Sequence, residues 1–104
     1  MKIEFIHHDI EKFIITQEKA TIAKILRTLD LLEQFGEKLG MPHSKKISEG
    51  LFELRVRGQQ EIRILYCFTS LSIIVLHAFK KTSDKIPPRH LRLAHKRMNH
   101  LEKI

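Results

Sequence analysis

The chain has 104 residues, 42% hydrophobic and 30% charged, with 19 lysines and arginines against 12 acidic residues. That length predicts a single domain over residues 1–104, and recurring Ile, Leu, Val and Phe exclude disorder. Cys67 alone forms no intramolecular disulfide, and the absence of a long apolar run or a secretory signal leads us to expect a cytoplasmic protein with no membrane partner.

Residues 2–6 alternate briefly and predict a short strand. Asp9 is placed to cap the helical turn after it, where Ile10, Phe13 and Ile14 fall at i, i+3 and i+4. The strongest helical pattern covers residues 21–35. Ile22, Ile25, Leu26, Leu29, Leu32 and Phe35 form its stripe, with Lys24, Arg27 and Glu33 largely off it. Gly36 supplies the stop. Residues 36–50 hold three of the four glycines and Pro42, and read as a loop carrying Lys45 and Lys46.

Three strands follow in succession. Over 51–57, Phe52, Leu54 and Val56 alternate with Glu53, Arg55 and Arg57. After a turn at 58–60, residues 61–68 set Ile62, Ile64, Tyr66 and Phe68 opposite Glu61, Arg63, Leu65 and Cys67. Residues 71–79 are apolar on both faces, as in a central strand covered on each side. Pro87 and Pro88 open a last helix. Its stripe is Leu91, Ala94, Met98 and Leu101, while Arg89, Arg92, Lys96 and Arg97 dominate the remaining surface. The predicted fold is α+β: a small antiparallel sheet, made of the N-terminal strand and a three-stranded meander, covered by two N-terminal helices and a C-terminal helix. Helices on one face would leave Arg55, Arg57 and Arg63 on the other.

The formal charge of +7 falls entirely after Phe52: residues 1–52 hold eight basic and eight acidic side chains, residues 53–104 eleven and four. This asymmetry favours a polyanionic partner, because each cation near a phosphate releases condensed counterions. The competing reading is a solvated basic face that keeps the protein soluble. Guanidinium groups bind phosphate bidentately. A sheet face bearing Arg55, Arg57 and Arg63, with Lys80 and Lys81 at its margin, could grip an RNA backbone and stabilise charge developing on phosphorus. RNA carries its own nucleophile, the 2′-hydroxyl, so such cleavage needs no metal or cofactor.

Alternatives attach to single residues. Arg55 binds phosphate or pairs with Glu53 or Glu61 across the hairpin. His77 transfers protons near neutrality or is a hydrogen-bonded buried histidine. Tyr66 shares an apolar face and packs there, or stacks on a base. His90, His95 and His100 recur every five residues, which spreads them around a helix and predicts no metal site. Cys67 reads as a small buried apolar residue.

Taken together, Gly50-Leu51-Phe52-Glu53-Leu54-Arg55, then Arg63 with Tyr66, then Phe79-Lys80-Lys81-Thr82 resemble the phage-derived, HigB-like branch of the RelE/ParE toxin superfamily, over essentially the whole chain. By position, Arg63 and Tyr66 match the R-x-x-Y strand, Arg55 the basic end of the strand before it, and Lys80 and Lys81 the basic cluster closing the last strand. The resemblance implies the toxin of a type II toxin–antitoxin system, a ribosome-dependent mRNA endonuclease. Its partners would be mRNA on the ribosome and a helix-turn-helix antitoxin encoded next to it, through which the complex binds operator DNA. The expected catalytic group is Arg55, Arg63, Lys80, Lys81 and His77, and the expected RNA-binding surface Arg57, Lys45, Lys46, Arg89, Arg92 and Lys96. Arg63→Ala is expected to abolish growth arrest with the fold intact. Two other classes stand beside this one: a ParE-like gyrase inhibitor without nuclease activity, and an inactive toxin-derived nucleic-acid-binding module.

Overall fold

A computed structural model describes residues 1–102. The elements run β1 (Lys2–Phe5), α1 (His8–Ile15), α2 (Lys19–Phe35), β2 (Ser44–Ser48), β3 (Leu51–Val56), β4 (Ile62–Phe68), β5 (Ser72–Lys80) and α3 (Pro88–Glu102), with a 3-10 turn at Gly36–Lys38. They form one five-stranded sheet in the order β1-β5-β4-β3-β2. The class is α+β, as the sequence predicts, but the sheet is mixed: β1 runs parallel to β5 while the other neighbours are antiparallel.

The fifth strand is β2, which lies where a loop is expected. Its sequence, Ser-Lys-Lys-Ile-Ser, lacks the apolar alternation that marks a half-buried strand. It pairs only with β3, at the sheet edge, where lysines discourage pairing with another chain. A second difference lies at the start of α1. His7, not Asp9, is the N-cap: its backbone is extended and its Nδ1 accepts from the Asp9 N–H at 3.1 Å. Asp9 instead sits in the first turn, where a carboxylate meets the positive end of the helix dipole.

Helices cover both faces of the sheet. Ile10 and Ile14 of α1 and Ile25, Leu29 and Leu32 of α2 pack on Leu54, Val56, Ile62, Ile64, Tyr66, Ile73, Val75 and Ala78. On the opposite face, Ala94 and Met98 of α3 pack on Leu51, Leu65, Cys67, Ile74, Leu76 and Phe79. The α2 stripe is narrower than its sequence suggests. Leu26 and Phe35 are exposed, and Thr21 and Thr28 are buried in their place; Thr28 Oγ1 donates to the Lys24 carbonyl at 2.7 Å, which satisfies its hydroxyl inside the helix. Tyr66 packs on the α1–α2 face as expected, and its hydroxyl bonds to Ser44 Oγ, tying the edge strand β2 to the centre of the sheet.

β5 carries the one break in the alternation of the meander. Leu65 lies opposite His77, yet Tyr66 lies opposite Val75, so Leu76 and His77 share the space of one residue. This bulge keeps Ile74, Leu76 and Phe79 together on the α3 side. The carbonyl of Leu76 accepts from Arg97 Nη1 of α3 at 2.7 Å, and Arg97 Nη2 reaches Asp9 Oδ2 at 2.7 Å. Burial pushes the Asp9 carboxyl up, but Arg97 and then His7 outweigh it and hold the group below the usual carboxylate range. Arg97 therefore links α3, the bulge and the start of α1, and is a framework residue.

Candidate functional site

The basic end of the hairpin is built by strand length. β2 begins at Ser44, and the Arg55 N–H donates to the His43 carbonyl just outside it at 2.7 Å. β3 continues past that point, so Arg57 and the 58–60 turn overhang the edge strand. Across the hairpin, Arg55 lies directly opposite Arg63. Two like charges in register repel, and the carboxylates on the same face settle the repulsion unequally.

Arg63 takes both of them. Its Nη1 stands 3.0 Å from Glu61 Oε2 and donates to the Ile62 carbonyl at 3.2 Å; its Nε stands 3.5 Å from Glu53 Oε2. Arg63 is 2% exposed and Glu53 4%, so this is a buried pair, with the half-exposed Glu61 at its outer side. The pairing considered for Arg55 thus goes to Arg63. Among the described residues Arg55 forms no ion pair. Its Nε is buried without a hydrogen-bond partner, and its Nη1 has only the soft contact to Met41 Sδ at 3.7 Å. A buried, unpartnered guanidinium nitrogen in a basic surface is a strong anion-seeking group.

Three clefts meet at Arg55. The first, about 380 Å³, is lined by Arg55, Arg57, Glu61, Arg63, Lys81 and Asp84. A second, about 340 Å³, lies toward α3 and includes Lys45, Glu53, Arg55, Lys81, Asp84 and Lys85. A third, about 240 Å³, opens on the α2 side. Lys81 enters the first two because its N–H donates to the Glu61 carbonyl at 2.7 Å, which continues the β4–β5 ladder one step past the end of β5.

The structure thus brings Arg55, Arg57, Arg63, Lys81 and Lys45 to one connected surface, but separates other expected residues from it. Lys80 lies opposite Ile62, whose side chain joins the α1–α2 face, so Lys80 projects away from the clefts. Lys46 is out of phase with Lys45 along β2 and stands 3.7 Å from Glu49. Arg89, Arg92 and Lys96 are exposed on α3 and line none of the three clefts.

His77 is also elsewhere. Its Nε2 lies 2.7 Å from His90 Nδ1, and the His90 ring stacks on Phe79 with centroids 4.1 Å apart. Burial, the neighbouring His90 and then Arg97 depress His77 to about 4, against a smaller opposing pull from Asp9. Burial and then Arg89 lower His90 as well. The pair is a neutral hydrogen bond beneath α3, placed there by the bulge.

The clefts also contain residues outside the expected set. Glu53 and Glu61 are visible as face-mates of Arg55 and Arg63 in the strand alternation, but only the register shows which arginine they take. Asp84 and Lys85 follow the last strand and carry no periodic signal. Lys24 and Arg27 join through the packing of α2, which the helix pattern alone does not aim. Among the described residues, no group of three or more His, Cys, Asp or Glu side chains is placed to hold a metal ion, and no helix is long and apolar enough to cross a membrane.

No curated protein matches the chain. The family model of Gp49-like phage-derived proteins (DUF891) matches residues 12–99, a stretch that begins within α1, ends within α3 and contains every cleft residue named above. With more than four-fifths of its length inside that match, the chain belongs to the Gp49-like family of phage-derived proteins, a toxin-like family of RelE type.

Proposed function

We propose that the protein is the toxin of a toxin–antitoxin pair and acts as a metal-independent endoribonuclease on mRNA at the ribosome, the three-way junction at Arg55 being its active site. The observation that carries this reading is Arg55 itself, which lines all three clefts while its buried Nε lacks a hydrogen-bond partner among the described residues. Arg55, Arg57 and Lys81 bind the phosphate to be cleaved, and their charges oppose the negative charge that grows on its oxygens in the transition state. Arg63, clamped by Glu53 and Glu61, forms the floor and positions those carboxylates.

In the reaction the 2′-oxygen attacks the adjacent phosphorus as the bond from phosphorus to the 5′-oxygen breaks, giving a 2′,3′-cyclic phosphate and a free 5′-hydroxyl. The attacking hydroxyl gives up a proton and the departing oxygen gains one. Glu61 and Asp84 supply acceptors in the same cleft, and Lys81 beside them a donor. A toxin-like family implies an antitoxin partner, and we assign that role to the helix-turn-helix protein expected from the neighbouring gene.

The test is induced expression of the wild type and of Arg55→Ala, with and without the adjacent open reading frame, followed by primer extension on cellular messages. Growth arrest with cuts inside translated codons is expected for the wild type alone, and loss of both for Arg55→Ala. Arrest without cuts, or trapped gyrase–DNA complexes, would overturn the nuclease reading.

A further inference from the structure

The cleft on the α2 side differs from the other two in charge. It is lined by Lys24 and Arg27 of α2, His43, Arg55 of β3 and Arg57 just past its end, together with the uncharged Thr28, Pro42 and Val56, and contains no carboxylate. The cleft toward the 81–84 loop includes Glu61 and Asp84. Among the described residues, Lys24, Arg27, Arg55 and Arg57 form no ion pair. Four cations around about 240 Å³ with no internal counter-charge is an arrangement that an external anion stabilises.

Its construction is specific. α2 is held on the sheet by Ile25 and Leu29, which alternate with the exposed Lys24 and Arg27 and so fix where those two emerge. Lys24 arches over the hairpin turn, and its Nζ stands 2.8 Å from where a Cβ on Gly58 would lie. The cleft joins the first at Arg55 and Arg57, so one strand passing around the end of β3 would meet cations in both without leaving the surface.

We infer that Lys24, Arg27 and His43, with Arg55 and Arg57, form a second phosphate subsite, which holds a phosphodiester of single-stranded RNA flanking the one in the cleavage cleft. This rests on the proposed nuclease reading and adds to it: the substrate is gripped at two phosphates, on opposite sides of β3, and the α2 side sets binding while the chemistry lies on the other.

The experiment is fluorescence anisotropy with a labelled 2′-O-methyl hexaribonucleotide, which lacks the nucleophile and stays uncut, titrated at several KCl concentrations. The proteins are the wild type, Lys24→Ala/Arg27→Ala, and a control that removes two exposed cations elsewhere, Lys12→Ala/Lys19→Ala. Thermal melting checks that both variants are folded. Loss of one phosphate contact from a single strand lowers the slope of log affinity against log salt by about 0.7. That loss is expected for Lys24→Ala/Arg27→Ala and not for the control. A wild-type slope in the α2 variant, or an equal loss in the control, overturns the subsite and leaves the nuclease reading standing. Absence of salt-dependent binding by the wild type removes both.

Discussion

Arg63→Ala is the substitution whose outcome the structure changes most. Arg63 is 2% exposed, and its Nε is the nearest counter-charge to the buried Glu53, at 3.5 Å. Removing the guanidinium leaves a carboxylate in the interior without its cation, and breaking a buried pair from one side costs about 3–5 kcal/mol. Glu61, whose side chain is 42% exposed, regains water and adds little. For a domain of this size each kcal/mol lowers the melting temperature by about 4–8 °C, so even the lower bound gives a drop of roughly 12 °C. The assay is thermal unfolding followed by far-ultraviolet circular dichroism, with Arg55→Ala alongside. Among the described residues Arg55 has no ion pair to lose, and its variant should melt close to the wild type. Pairing Arg63→Met with Glu53→Leu should recover most of the loss, because it removes both charges and fills the space. If Arg63→Ala melts within a few degrees of the wild type, Arg63 is not what holds Glu53 in the interior, and the buried-pair argument fails. The expectation that this variant loses activity with an intact fold is therefore replaced: Arg55→Ala tests the chemistry, whereas Arg63→Ala tests the framework.

Two further predictions concern stability. His77 is depressed from 6.5 to about 4, so the unfolded chain takes up its proton first as the pH falls; its contribution is complete above about pH 6.5 and is lost progressively toward pH 4. Melting temperatures measured across that window should decline, and His77→Phe should flatten the decline; an unchanged slope in the variant would remove His77 as its source. Gly36 ends α2 with φ of 56° and ψ of −128°, a conformation open mainly to glycine, and no atom lies within 4 Å of an added Cβ. Gly36→Ala should accordingly cost about 1–3 kcal/mol in urea denaturation through the backbone alone, and a neutral result would show that the turn relaxes.

The parts of this molecule that can be read from its sequence are those with a repeating period. The alternation in β3 and β4 places Leu54, Val56, Ile64 and Tyr66 on one face and Arg55 and Arg63 on the other, because successive side chains of a strand point to opposite faces. β2 has no such signature: its register comes from β3, and from the Tyr66 hydroxyl that meets Ser44. The bulge at Leu76 and His77 is hidden for a related reason, since both faces of β5 are apolar and a slipped residue leaves no mark in the pattern. Within the site, the residue types are legible and their partners are not. Glu53 lies beside Arg55 on its own strand and face, two residues away, and reaches Arg63 instead because the hairpin register sets Arg63 diagonally across from it. Leu26 and Phe35 look like core and are solvent-facing, while Lys24 and Arg27 look like generic helix surface and line a cleft.

The strand order has a consequence for how the protein comes into being. β5 occupies the interior of the sheet between β1 and β4, yet it is the last of the five strands in the chain. During synthesis the first four emerge without the element that joins β1 to the others, and Lys81 follows only after it. A partly translated chain therefore carries Arg55 and Arg57 but not the ladder that sets them against Lys81. Assembly waits on long-range pairing with β5, so the basic junction takes shape only once the chain has been made through Lys81.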